Sequence, residues 1–335
     1  MPRKARIDAP GAVHHVIGRG INCQEIFSDK KDYLKFLERF GDLLVETKTS
    51  CYAWALIPNH FHLLLKTGNQ SISNVMKRLL TGYAINYNRR HGRAGHLFQN
   101  RYKSILCQED TYLLELVRYI HLNPLRAKLV PNYERLGQYP YCGHAVMLGH
   151  KKNDWQDIAY ILRLFGMKQG PAKRKYSDFV QKGIAQGRRP DLIGGGLLRS
   201  HGGWSGVKSM METGDYQKGD ERMLGDGAFV TEVLAHAEEQ LRKKYRIKTK
   251  GYDLEKLVDC VVEITNLTPK EIWDGTRDKK RTEARSMLCF WAKEELGITQ
   301  SKLAEKLNLT QSAISYAVRR GRLLVEKNSY LILEG

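Results

Sequence analysis

The sequence predicts an α+β protein in which a small antiparallel sheet with packed helices is followed by a helical C-terminal module. Two observations support this prediction. The first 130 residues contain short strand-like segments separated by longer segments with helical apolar spacing. The last 85 residues contain successive segments that all have helical apolar spacing. We therefore expect three parts, residues 1–130, 131–250 and 251–335, of which the middle one is mostly helical with a glycine-rich linker.

The spacing of apolar residues predicts the elements of the N-terminal part. Strands or extended segments are predicted at residues 12–17, 51–57, 61–65 and 96–107. Helices are predicted at residues 29–45, 72–88 and 110–122. Two glycines at 18–20 predict a turn, Asp110 is placed to cap the third helix, and Pro124 disfavours helical geometry at Asn123. This order predicts helices on one face of the sheet.

The remaining parts are predicted to be mostly helical. The predicted helices lie near residues 155–165, 173–186 and 229–245, then at 254–265, 268–273 and 281–296, ahead of a helical pair at 299–320. Residues 187–206 are rich in glycine but lack the lysine and the strand-to-helix context of a phosphate-binding loop. We interpret them as a linker or loop.

The positive charge predicts a polyanionic partner. The net charge is +19, and nucleic acid is the leading candidate, with ribosomal or anionic-membrane contact as the alternative. Residues 47–108 contain nine Lys or Arg and no Asp or Glu. The aromatic residues interleaved with these charges are Tyr83, Tyr87, Phe98 and Tyr102. Cations for phosphates and rings for stacking suit single-stranded nucleic acid, although Phe98 also fits a core position.

The sequence predicts a cytoplasmic protein without a membrane partner. Apolar segments are too short to span a membrane, and no apolar segment follows the basic N-terminus as in a signal peptide. The six cysteines lack the spacing of a zinc site. Free thiols in a reducing compartment are the expected state.

Two pairs of residues predict a site of chemistry. His60 and His62 lie two positions apart on a predicted strand, so both imidazoles project from one face of it. Their backbone positions are roughly 6–7 Å apart. Two imidazoles so placed can hold one metal ion. Tyr119 and Asn123 are four positions apart at the end of the third helix, so they share a helical face. A phenol and an amide oxygen beside such a metal complete a plausible site. An ordinary amphipathic tyrosine and a helix-ending asparagine are the alternatives.

Residues 299–320 have the pattern of a helix-turn-helix. Small or apolar residues fall at its packing positions, and Asn308, at the turn, tolerates the left-handed conformation. In this interpretation Gln311, Ser312 and Ser315 face DNA, while Arg319 and Arg320 contact phosphates. Two packed helices with a short turn and no DNA are the alternative.

Three motifs in order resemble the REP-associated tyrosine transposases, which are single-tyrosine transposases of the HUH (His-hydrophobe-His) superfamily. The motifs are PNHFHLLL at 58–65, GHLFQNRYKS at 95–104 and LLELVRYIHLNPLRAKLV at 113–130. The resemblance covers about residues 1–150. In addition, residues 299–315 are similar to the helix-turn-helix that follows some of these domains, and the preceding helices resemble the DNA-binding domain of the replication initiator DnaA.

The resemblance implies a ferredoxin-like or RRM-like sheet, the HUH nuclease fold, with His60 and His62 on a central strand. Tyr119 would be the nucleophile that forms a 5′-phosphotyrosine, and Asn123 a third ligand of Mg²⁺ or Mn²⁺. The implied substrate is single-stranded DNA at palindromic repeat hairpins, which the enzyme cleaves and rejoins.

The resemblance also implies how DNA is held and where the protein acts. Arg19, Arg101 and Lys103 are expected to hold the single strand, and the C-terminal module is expected to bind duplex DNA. A bacterial, nucleoid-associated location is implied. Smaller relatives exchange tyrosines between two subunits, but the C-terminal extension favours a monomer. Three alternatives stay open: a replication or conjugation nickase of the same superfamily, a DNA-binding regulator with an inert nuclease site, and an RNA-binding protein.

Overall fold

The structure, a computed structural model, describes residues 11–187, 189–192, 222–226, 228–235, 252–274, 278–330 and 332. The chain divides into two compact units, Met1–Val233 and Leu234–Gly335. The first unit therefore contains the predicted sheet together with most of the predicted middle part. Most of the predicted linker at 187–206 and most of the predicted helix at 229–245 lie outside the described residues.

The first unit is built on a five-stranded sheet, which confirms the α+β prediction. The strands are β1 (Val13–Arg19), β2 (Ser50–Ile57), β3 (His60–Lys66), β4 (Lys103–Cys107) and β5 (Met223–Leu224). They lie in the order β2-β3-β1-β4-β5. The first four pair antiparallel, and the short β5 pairs parallel with β4. The sheet is therefore mixed rather than purely antiparallel, because β5 pairs parallel. β5 comes from the middle part, where no strand was predicted.

Five predicted helices of the first unit are present within a few residues of their expected bounds. They are α1 (Lys30–Thr47), α2 (Ile72–Arg90), α3 (Glu109–His121), α7 (Ile158–Arg163) and α8 (Gln169–Lys182). The short helices α4 (Asn123–Arg126), α5 (Tyr133–Leu136) and α6 (Gly143–Leu148), and 3-10 turns at Ile21–Cys23, Ile184–Gln186 and Pro190–Leu192, were not predicted as separate elements. Two details of the prediction are wrong. Gly18 and Arg19 continue β1 instead of turning, and Asp110 lies inside α3, whose N-cap is Gln108.

Helices cover both faces of the sheet, so the prediction of a single covered face is wrong. Leu63 and Phe61 pack with α1 and α2 in one buried cluster. Leu64 and Ile105 pack with α3 and α8 in a second cluster. Neighbouring strand residues point to opposite faces, and Leu63 and Leu64 are both fully buried. A strand whose side chains are apolar on both faces must be covered by other elements on both faces.

The tyrosines that were predicted to stack on bases are core residues. Tyr83, Tyr87 and Tyr102 are buried among the side chains of α1 and α2, and Phe98 packs against the same cluster. The hydroxyl of Tyr87 bonds the Ser28 hydroxyl at 2.6 Å. The stacking prediction is therefore wrong for these three tyrosines, because they satisfy their hydroxyls inside the fold instead of presenting rings to solvent.

Part of the positive charge in the acid-free window is paired with acids from outside it. Arg78 forms a salt bridge with Glu46 at 2.6 Å, and Lys66 with Glu109 at 2.8 Å. Arg90 pairs with the two aspartates at the start of α1, Asp29 and Asp32. These three cations are therefore paired within the fold, and the window is less positive in space than in sequence.

A close backbone approach at Gly18 gives a testable effect on stability. A β-carbon added at Gly18 would lie 2.3 Å from the Phe61 ring. We expect Gly18→Ala to cost about 1–3 kcal/mol, the range for overpacked cores, and to lower the melting temperature of the first unit by several degrees. Thermal unfolding followed by circular dichroism measures this shift.

The matched control for this substitution is Gly170→Ala in the first turn of α8. No heavy atom lies within 4 Å of a β-carbon added there, so the melting temperature should not fall. Equal melting temperatures for Gly18→Ala and the wild type would contradict the prediction.

The second unit is a helical module with its own core. Its helices are α9 (Leu254–Thr265), α10 (Pro269–Trp273), α11 (Lys279–Glu294), α12 (Gln300–Lys306) and α13 (Gln311–Asn328). Thr299 and Thr310 cap α12 and α13 by accepting backbone N–H groups. Asn308, between the two helices, has φ of 49°, as the turn requires. Leu303 and Ile314 hold the pair against Trp291 of α11.

Two expectations from composition can be compared with the structure. All six cysteines are free thiols. Within the described ranges, none of the helices has the length and apolar character needed to cross a membrane.

Candidate active site

A cleft of about 370 Å³ lies where β1, β3 and the end of α3 meet. Its lining residues are Ile17, Arg19, His60, His62, Gln99, Asn100, Arg101, Lys103, Tyr119 and Asn123. The structure thus brings together every site residue that the sequence predicted for the N-terminal part. Gln99 and Asn100 were not predicted, although both lie within the motif at 95–104.

Sheet register explains how residues from three strands reach one cleft. Ile17 of β1 lies opposite His62 of β3 and opposite Lys103 of β4. Arg19 lies opposite His60. Residues that face each other across antiparallel strands point to the same side of the sheet. The two histidines and two of the predicted cations are therefore placed side by side by backbone pairing.

His60 is held by its sequence neighbour. Its Nδ1 lies 2.6 Å from Asn59 Oδ1, and Asn59 Nδ2 donates to the Cys23 carbonyl at 3.2 Å. Because an amide oxygen accepts only, Nδ1 of His60 carries the proton. Its Nε2 keeps a lone pair, and the rings of His60 and His62 are 5.3 Å apart.

His62 is held by a histidine that the sequence analysis missed. Its Nδ1 lies 3.0 Å from Nε2 of His15, and the two rings stack with centroids 5.2 Å apart. Burial lowers the pKa of His60 to about 4 and that of His15 to about 3, and it lowers the pKa of His62 as well. All three imidazoles are therefore neutral at pH 7, as metal ligands must be.

Tyr119 lies against this histidine pair. Its ring centroid is 5.8 Å from that of His62, and its side chain is largely buried. Burial raises the pKa of Tyr119, while Arg126 and a hydrogen bond with the Asn123 side chain act in the opposite direction. The Arg126 guanidinium lies 5.2 Å from the centre of the Tyr119 ring. Arg126 was not singled out in the sequence, although it belongs to the third motif.

Asn123 is fixed at the break between α3 and α4. Its Nδ2 donates to the backbone carbonyl of Tyr119 at 3.1 Å. This bond orients the amide so that Oδ1 is the remaining acceptor. The predicted proximity of Tyr119 and Asn123 is present, but the two residues belong to successive helices because α3 ends at His121.

The donors in the cleft fit a divalent cation. In the part of the chain that the structure describes, no group of three or more His, Cys, Asp or Glu side chains could hold a metal ion. The candidate donors are Nε2 of His60, Oδ1 of Asn123 and, where Nδ1 of His62 carries the proton, Nε2 of His62. Two neutral imidazoles with an amide oxygen would suit Mn²⁺.

The rim of the cleft is basic. Arg19, Arg101 and Lys103 are all exposed there. The segment that precedes β4 is tied to the end of β1, since the Gln99 amide donates to the Arg19 carbonyl at 2.9 Å. This pairing brings Arg101 and Arg19 to the same rim, where they can meet the phosphates of a bound strand.

The predicted duplex-binding residues lie in the second unit. Gln311, Ser312, Ser315, Arg319 and Arg320 are exposed on α13. Gln311 Nε2 donates to the Ser301 hydroxyl at 2.5 Å, which links α13 to α12. Tyr316, which was not predicted, is 69% exposed on the same helix. The exposed positions of these side chains on α13 suit contact with a groove of duplex DNA. Their role in DNA binding stays a prediction.

Parts of this chain are similar to known proteins. Residues 11–123 match the family model of the IS200-like transposases. A solved structure of a REP-associated tyrosine transposase bound to a REP hairpin is 14% identical, with 47% of this chain and 94% of that chain covered and a TM-score of 0.38. No curated protein matches the sequence. Residues 11–123 are thus similar to the IS200-like transposases, and the His-hydrophobe-His pair of this segment lies on β3.

Proposed function

We propose that the protein is a metal-dependent endonuclease and strand transferase that acts on single-stranded DNA at palindromic repeat hairpins. The observation that supports this most strongly is the meeting of Tyr119, His60 and His62 in one basic cleft. We also propose that the protein acts as a monomer, since Tyr119 lies beside His62 of its own chain. A replication or conjugation nickase of the same superfamily would share this chemistry, and its substrate would distinguish it.

The protein residues divide the reaction between them. His60, His62 and Asn123 would hold Mg²⁺ or Mn²⁺, which when bound polarises the scissile phosphate and offsets charge in the transition state. The Tyr119 hydroxyl gives up its proton as its oxygen attacks phosphorus. The bond from phosphorus to the 3′ oxygen breaks, and that oxygen takes up a proton and leaves as a 3′-hydroxyl. A 5′-phosphotyrosine remains. Attack by another 3′-hydroxyl reverses the step and joins strands without ATP.

Arg126 and Asn123 assist the nucleophile. A phenol with a raised pKa is a weak nucleophile at pH 7. The Arg126 guanidinium beside the Tyr119 ring favours the phenolate form of Tyr119. A hydrogen bond from the Asn123 side chain favours the same form. Arg19, Arg101 and Lys103 would hold the phosphates on either side of the scissile bond.

Adduct formation tests the proposal. The full chain is incubated with Mn²⁺ and a labelled single-stranded hairpin from its own genome, and the products are separated on a denaturing gel. We expect a covalent protein–DNA band that disappears when EDTA is added. A protein that binds the hairpin but gives no band would support the alternative of a regulator with an inert site.

Metal binding should be independent of pH in the neutral range. Protons compete with the metal for imidazole, and the pKa of His60 is lowered to about 4. The Mn²⁺ affinity should therefore be constant from pH 8 to pH 6 and fall only as the pH approaches 4. Isothermal titration calorimetry measures this profile. Two histidines with ordinary pKa values near 6.5 would instead lose about tenfold in affinity between pH 7 and pH 6, which would contradict the prediction.

We also propose that the second unit binds duplex DNA through α13. The double substitution Arg319→Ala/Arg320→Ala should weaken duplex binding several-fold and reduce the salt dependence by about two phosphate contacts. Fluorescence anisotropy at several salt concentrations measures both quantities. The hairpin adduct should form as before.

Arg322→Ala is the matched control for this experiment. Arg322 lies on α13 but pairs with Glu294 at 3.4 Å and lies over the Phe290 ring of α11. Its replacement should leave the salt dependence unchanged. If Arg322→Ala and the double variant behave alike, α13 does not contact DNA through the predicted face.

A further inference from the structure

His15 lies behind the metal-binding pair and has no role in the proposal so far. It is fully buried on β1, and its Nε2 meets Nδ1 of His62 at 3.0 Å. The β1–β3 register places Ile17 opposite His62, so His15 lies diagonally beside it on the same face of the sheet. Because its Nε2 is engaged by His62, His15 does not offer that nitrogen to the cleft.

The direction of this hydrogen bond decides whether His62 can bind a cation. A neutral imidazole has one N–H donor and one lone pair. If Nδ1 of His62 donates, its Nε2 lone pair is available in the cleft. If Nε2 of His15 donates instead, the proton of His62 is placed on its Nε2, and that nitrogen cannot bind a metal.

The surroundings of His15 favour the first arrangement. Its Nδ1 is buried and makes no hydrogen bond of good geometry to the described residues. Burial lowers the pKa of His15, and the backbone of Leu192 acts against this lowering, as a hydrogen-bonding carbonyl near the ring does. Since Nε2 of His15 already lies against His62, Nδ1 is the nitrogen left to face such a carbonyl. A carbonyl accepts only, so it favours the proton on Nδ1 of His15 and leaves Nε2 as the acceptor.

We propose that His15 is a positioning residue of the metal site, which accepts the Nδ1–H of His62 and so directs the Nε2 lone pair of His62 toward the cation. This inference rests on the proposed function, since it assigns a partner to one of the proposed ligands. Asn59 does the same for His60 through an amide oxygen. Outer hydrogen bonds of this kind fix both the tautomer and the orientation of ligating histidines.

Three full-length variants test the proposal with Mn²⁺ alone as the probe. His15→Phe keeps a ring and removes the acceptor, whereas His15→Gln restores an acceptor at similar reach. His14→Phe is the matched control, because His14 is the next residue of β1, is equally buried and bonds the Ser104 hydroxyl at 3.1 Å. We expect Mn²⁺ affinity, measured by electron paramagnetic resonance of free Mn²⁺, to fall about 10–100-fold in His15→Phe, to recover largely in His15→Gln and to be unchanged in His14→Phe.

Two outcomes of this comparison would overturn the proposal. One is His15→Phe binding Mn²⁺ as tightly as the wild type. The other is an equal loss in His14→Phe and His15→Phe, which would indicate general damage to the strand.

A measurement on the wild type decides the matter if His15→Phe does not fold. Long-range ¹⁵N–¹H spectra of the Mg²⁺-loaded protein should show His62 protonated at Nδ1 and His15 unprotonated at Nε2, and the reverse pattern would refute the assignment. Failure of the proposed function has a different signature, because then the wild type and His62→Ala bind Mn²⁺ equally poorly.

Discussion

Replacing Tyr119 by phenylalanine is expected to abolish the covalent adduct while leaving hairpin binding nearly unchanged. The phenyl ring keeps the contacts of the Tyr119 ring with the histidines and with Arg126, and only the attacking oxygen is lost. Removal of a nucleophile costs about 10⁴-fold or more in rate. Adduct formation on a denaturing gel measures the reaction, and fluorescence anisotropy of the hairpin measures binding.

The position of the label makes this test specific for the proposed chemistry. A 5′-phosphotyrosine joins the protein to the DNA fragment that lies 3′ of the break. A label at the 3′ end of the hairpin strand should therefore move with the protein, and a label at the 5′ end should be released. Tyr112→Phe, on the same helix but absent from the cleft lining, is the control that should react normally. An adduct in Tyr119→Phe, or its loss in Tyr112→Phe, would refute the assignment.

Local spacing is the reason why the sequence predicted most of the candidate site. The i, i+2 relation of His60 and His62 holds on any strand, and the relation of Tyr119 to Asn123 needs only the end of one helix. His15 was missed because its contact with His62 depends on the register of β1 against β3, which joins residues 47 positions apart. The adjacent pair at His14 and His15 was visible in the sequence, but nothing local shows which of the two faces the cleft.

The errors about surface and core have a similar physical origin. Tyr83 and Tyr87 lie on a helix whose outer face is basic, and spacing alone does not show that α1 covers their rings. Likewise, Arg78 and Glu46 are 32 positions apart, and their pairing follows from the packing of α2 on α1. Composition therefore predicted a polyanionic partner, but it overestimated how many cations and rings are available to bind one.

The second large effect is the loss of metal in variants of the two proposed histidine ligands. His60→Ala and His62→Ala should each lower Mn²⁺ affinity by more than the 10–100-fold that an outer partner contributes. Each should also abolish the adduct on the gel. Titration calorimetry with Mn²⁺ in the absence of DNA measures the first effect independently of turnover.

The two variants should differ in stability, and this difference tests the geometry of the site. His62 is buried and bonded to His15, so His62→Ala leaves a buried nitrogen of His15 without its partner, at a cost of about 1–3 kcal/mol. His60 is half-buried, and its partner Asn59 lies at the turn between β2 and β3, where water can replace the lost contact. Calorimetric unfolding of the metal-free variants should therefore show a lower melting temperature for His62→Ala than for His60→Ala. Equal melting temperatures together with equal loss of metal would mean that the bond between His15 and His62 does not stabilise the site.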